Sequence, residues 1–64
     1  MCEANVYLLT EDDECQLLLE SVDKLLPTEK GIYIENIFGE RKTVNAAIHK
    51  MELVHHRIIL KTLD

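Results

Sequence analysis

Tryptophan is absent from this 64-residue sequence, and glycine, proline, cysteine and aromatic residues are scarce: two Gly, one Pro, two Cys, two Tyr and one Phe. With only Gly31 and Gly39, there is no glycine-rich loop to cradle a phosphate. Tyr7, Tyr33 and Phe38 lack the basic neighbours of a base-stacking platform and read as core or dimer contacts. Two cysteines in a reducing compartment are free thiols or metal ligands rather than a disulfide. No apolar run approaches the ~20 residues of a membrane span. Met1 to Leu9 carries Glu3 and Asn5 and no basic segment, so no signal peptide is expected and the chain is placed in the cytoplasm.

Positive charge is also in deficit, with seven Lys and Arg against twelve Asp and Glu, a net charge of −5. Nucleic-acid binders gain affinity by replacing counterions on phosphates with a basic stripe. None is visible here, which argues against DNA or RNA as a partner. Repeats, low-complexity tracts and linkers are missing too.

What the sequence does have is apolar content, at 47%, too much for a disordered chain. Residues 1–64 make one domain. A domain this short buries only roughly 60% of the surface its unfolded chain exposes. A staple or a second copy is expected, and a symmetric homodimer is the commonest solution.

Glu3 to Thr10 and Gly31 to Ile37 alternate apolar and polar residues and predict strands, as does Arg57 to Leu63 with Ile58 and Leu60 inward. A phase slip at Asn36 and Ile37 suggests a bulge, and Gly39 marks a turn. Pro27 to Gly31 reads as a loop. Gln16 to Leu26 fits either a strand or, slightly better, a helix through Leu18, Val22 and Leu25. Thr43 to Met51 is ambiguous in the same way. His55 and His56 lie either in a hairpin turn or inside one longer strand.

Three stretches resemble the CooT family: Met1-Cys2-Glu3-Ala4-Asn5-Val6-Tyr7-Leu8; Ile37-Phe38-Gly39-Glu40 with Val44 and Ile48; and Leu53-Val54-His55-His56-Arg57-Ile58-Ile59-Leu60. Their order and the chain length carry the likeness. It implies a homodimeric, mostly β, cytosolic nickel-binding protein, with Cys2 at the nickel-binding position. Some members accompany maturation of nickel-dependent carbon monoxide dehydrogenase. It also implies strands for Gln16 to Val22 and Thr43 to Leu53. The HypC hydrogenase chaperones share a cysteine at position 2. They usually carry a proline soon after it, which this chain lacks.

Ni(II) held by a thiolate and amide nitrogens favours a square-planar site. If Met1 is kept, its amine with the Cys2 amide and sulfur would form fused chelate rings. If it is removed, the Cys2 amine and sulfur lead, with the Glu3 amide as a further donor. Two Cys2 thiols meeting across a dimer axis could also share one metal. His55 and His56 are candidates for a secondary role, since imidazole suits nickel. His49 reads as exposed and Cys15 as a buried thiol. Glu11 to Glu14 lacks the spacing of a calcium loop and reads as a solvated turn. No catalytic set stands out.

The expected molecule is therefore all-β, a small antiparallel half-open barrel or sandwich of about five to seven strands, homodimeric. It binds Ni(II) through Cys2, with Met1, Glu3, His55 and His56 as further candidate ligands. Its expected role is a carrier for a nickel enzyme or its maturation proteins, not an enzyme. The alternative is a protein-interaction module or maturation chaperone that uses Cys2 to hold a partner.

Overall fold

Val6 in the first alternating run, Ile32 and Ile34 in the third, and Leu60 in the last all turn inward, as the two-residue repeat of a strand dictates. The structure is a computed structural model that describes residues 3–63. It contains β1 (Ala4–Leu9), β2 (Cys15–Thr28), β3 (Gly31–Asn36), β4 (Arg41–Val44), β5 (Ala46–Glu52), a 3-10 turn (Leu53–His55) and β6 (Arg57–Thr62). All belong to one sheet of order β4-β3-β2-β1-β6-β5.

Six strands fall within the expected range, but the sheet is mixed rather than antiparallel. β1 and β6 run parallel, from Asn5 opposite Arg57 to Leu9 opposite Lys61. The other four pairings are antiparallel. The cause is local: β6 turns back tightly on β5, and the direction this gives it matches that of β1.

β4 and β5 stand at the two edges of the sheet although only Asn45 separates them in sequence. The sheet must therefore curl until its edges approach at that residue, without closing. Leu63 N–H donates to the Asn45 carbonyl at 3.3 Å beside this corner. Gly31 faces it with φ +128°, and a Cβ there would lie 2.0 Å from the Val44 carbonyl oxygen. Only glycine fits that approach.

The curl is made in β2. Its register slips against β1 on either side of Val6, and against β3 between Val22 and Lys24. Ser21 takes φ 56° at one slip. Bulges of this kind bend a strand and increase its twist. They bring Leu19 and Val22, three residues apart, to the same buried face. This imitates helical spacing, and the helical reading of Gln16 to Leu26 fails for that reason. β2 also runs through Pro27, which pairs opposite Ile32. The expected loop shrinks to residues 29–30. Among the described residues, β2 beyond Val22 pairs on one side only, and a residue without an N–H is tolerated at such an edge.

The core is Val6, Leu19, Val22, Ile32, Ile34, Ala46 and Leu60, with Leu8, Leu18, Leu25, Val44 and Ile58 packed against it. Phe38 is not part of it, being 68% exposed.

Candidate metal site at the start of the first strand

Asn5 is the junction at which this region is assembled. Its N–H donates to the His56 carbonyl at 2.8 Å. Its Oδ1 accepts from the Ser21 N–H at 3.1 Å, and the Ser21 carbonyl accepts from the Ile37 N–H at 3.0 Å. The first strand thus ties together two distant turns, one after β3 and one before β6. The left-handed backbone of Ser21 turns its N–H and carbonyl into this chain of bonds.

The turn after β3 is built by Asn36, which is buried. Its Oδ1 accepts from the Phe38 N–H at 3.0 Å and the Glu40 N–H at 2.9 Å. Its Nδ2 donates to Glu40 Oε1 at 2.7 Å. The phase slip expected at Asn36 and Ile37 is thus the entry to a tight turn, and the register shift beside it lies in β2, opposite Glu35 and Asn36. Gly39 closes it with φ 86°.

The turn before β6 is a single 3-10 turn over Leu53–His55, ended by His56 in the left-handed conformation (φ 54°, ψ 47°). The His56 N–H donates to the Leu53 carbonyl at 3.1 Å. Outside it, Glu52 receives Arg57 Nε at 2.9 Å and Lys50 Nζ at 3.3 Å. The Lys50 hydrogen bond, helped by the Arg57 charge, holds the Glu52 carboxyl below the usual carboxylate value against a smaller opposing push from burial. Of the two readings left open for His55 and His56, the turn is correct.

The expected ligands are distributed as follows. Met1 and Cys2 lie outside the described residues. Glu3 is half-buried just before β1, and His55 and His56 are exposed. His49 is exposed on β5, as expected. Cys15 starts β2 as expected but is exposed, not buried. It pairs with Leu9, so it stands roughly 13 Å of strand away from Asn5. Among the described residues no three His, Cys, Asp or Glu side chains converge as a metal set. Glu11 to Glu14 forms the exposed turn between β1 and β2. It is closed by Thr10, whose N–H donates to the Glu14 carbonyl at 2.8 Å.

Elsewhere, Tyr33 Oη donates to Glu35 Oε1 at 2.6 Å. This bond raises the Tyr33 pKa and lowers that of Glu35. An open groove of about 320 Å³ lies at the Asn45 corner between Pro27, Ile32, Ala46 and Leu63, at the far end of β6 from the histidines. No helix among the described residues is long and apolar enough to cross a membrane.

Asn5 and Asn36 escaped the sequence reading as organisers. The signal for Asn36 was there: it occupies an inward position of an alternating strand, where a polar residue must find partners.

A family model described as CO dehydrogenase accessory protein CooT matches residues 1–61. A protein of Carboxydothermus hydrogenoformans, whose crystal structure is described as that of a CooT, superposes with a TM-score of 0.91 at 51% identity, covering 98% of this chain and 100% of that one. No curated protein matches significantly.

Proposed function

Because this chain belongs to the CooT family of CO dehydrogenase accessory proteins, we propose that it is a nickel carrier that binds Ni(II) through Cys2. The observation that supports this is that the family match runs from residue 1 and so includes Cys2. The fold adds a reason for a site there: β1 begins at Ala4, and Asn5 is held by bonds to the turn before β6 and to Ser21 of β2. A donor two or three residues before such an anchor is tethered to a fixed frame. The amine of Met1, or the Glu3 amide if Met1 is lost, would complete chelate rings with the thiolate. Transfer is then ligand exchange from an open site of few donors to a partner enzyme or its maturation proteins in the cytoplasm.

The carrier works as a homodimer. Phe38 and Leu53 are exposed, and Val54 is 87% exposed. Large apolar side chains contribute to stability only once they are covered. The same exposed turns favour the second reading, a maturation chaperone that holds a client. A carrier binds nickel alone, whereas a chaperone needs its client.

The test is a nickel titration of the wild-type chain and of Cys2→Ser, followed by absorption and native mass spectrometry. Thiolate-to-nickel charge-transfer bands are expected in the wild type and absent from the variant. Equal binding by both would sink the Cys2 reading, and no binding by either would leave the chaperone reading.

A further inference from the structure

We infer that the free edge of β5 is a docking site for an extended, acidic segment of a partner protein, which adds to the sheet as a further strand. This surface is independent of the nickel reading above.

β5 is the last strand in the order β4-β3-β2-β1-β6-β5. β6 takes one side of it, and among the described residues no strand pairs with the other. Main-chain N–H and C=O groups on such a side are a template for an incoming chain. The side chains at this edge are left uncovered in the same way. Ile48 pairs with Leu60, which is fully buried, and Met51 pairs with Ile58, which packs on the core. Residues directly opposite share a face of the sheet, so Ile48 and Met51 lie on the core side. They are nevertheless 38% and 52% exposed, because the sheet stops at β5. A strand laid beside β5 would cover both. The groove at the Asn45 corner lies between the start of β5 and the end of the β2–β3 hairpin, so it continues the same edge. It offers an apolar seat for a side chain of the added strand, and such seats are what give strand addition its specificity.

Charge selects the occupant. Residues 41–51 span β4, Asn45 and most of β5, and hold Arg41, Lys42, His49 and Lys50 with no acidic residue. The rest of this acidic chain has the opposite balance. On β5 itself His49 and Lys50 are exposed, and the pairing with β6 slips between Ile48 and Lys50. Lysines and bulges are the devices by which edge strands resist strands of their own kind. Two copies meeting edge to edge at β5 would set like charges beside each other, which destabilises a pairing. A strand with carboxylates on alternate residues meets opposite charge there instead. Glu52 does not cancel this attraction, because it is shared between Lys50 and Arg57.

The test uses the full chain, as wild type and as Lys50→Glu, with three synthetic heptapeptides. One alternates glutamate and valine, one has lysine in place of each glutamate, and one is the acidic peptide with proline at its central valine. Proline removes a donor that a paired strand needs. Amide exchange, and the methyl signals of Ile48 and Met51, are followed by NMR. The acidic peptide should bind saturably, slow the exchange of β5 amides that are open without it, and shift both methyl signals. Its affinity should fall with added salt, and about fivefold in Lys50→Glu, as suits the reversal of one exposed charge. The lysine and proline peptides should leave β5 unchanged. Thermal unfolding checks that Lys50→Glu keeps the fold, and the wild-type exchange data decide the matter if it does not. An equal response to all three peptides, no response at β5, or shifts confined to the turns that bear Phe38 and Val54 would overturn the proposal. Concentration-dependent shifts at β5 without peptide would overturn it too, by giving the edge to a second copy.

Discussion

The two turns tied to the first strand, one directly at Asn5 and the other through Ser21, expose similar side chains but are held in different ways. The one after β3 presents Ile37 and Phe38 and is fixed from inside by the buried Asn36 amide, which makes three hydrogen bonds. The one before β6 presents Leu53 and Val54 and is braced from outside by Glu52 with Lys50 and Arg57. No residue of its 3-10 segment is buried. Buried hydrogen bonds are costly to break, whereas exposed ion pairs contribute little and weaken with salt. The first turn is thus part of the frame. The second is the adaptable one.

Three experiments would sharpen or break that contrast. The largest effect is expected from Asn36→Ala, which strands the Phe38 and Glu40 N–H groups and should cost about 2 kcal/mol. The midpoint of urea unfolding measures it, and a loss near zero would show that the first turn is no more fixed than the second. A smaller effect of opposite sign is expected from His56→Gly. Relief of left-handed strain, partly offset by glycine's extra freedom when unfolded, should raise stability by about 0.5 kcal/mol. A fall in stability instead would mean that the His56 side chain itself holds the turn.

The smallest concerns pH. The Glu52 pKa is lowered in the fold, so its contribution is present above the unfolded carboxylate value and is lost as pH falls through the lower folded value. Glu52→Gln should therefore match the wild type most closely in acid and lag it slightly at neutral pH. Unfolding midpoints across the range below the ordinary value of 4.5 check this. Glu35, lowered chiefly by the Tyr33 hydroxyl, remains in both proteins and supplies the residual slope. An equal pH response in the two proteins would show that the outer brace does nothing for the second turn.

Much of the fold is legible in the residues because alternation is a local property. β1, β3 and β6 follow directly from Val6, Ile32, Ile34, Ile58 and Leu60. β2 is not legible in the same way, since its bulges replace a period of two by steps of three and only the pairing with β1 and β3 reveals them. The parallel β1–β6 contact is equally hidden, being set by what lies between the two strands and not by either of them. For the candidate site, Cys2 and the two histidines stand out by chemical type. The tie between Asn5 and His56 does not, because a main-chain hydrogen bond between residues 5 and 56 leaves no mark on either side chain.

That link also orders events in time. Residue 5 leaves the ribosome about fifty residues before His56, an interval of several seconds at usual rates of synthesis. Joining the first strand to the last also requires closing a loop of nearly the whole chain, and such non-local contacts form late. Throughout that interval the Asn5 N–H lacks the carbonyl that it meets in the finished fold. The tie between the first strand and the turn before β6 is absent from every chain that ends before His56, so an intact Asn5–His56 bond is a mark of completed synthesis.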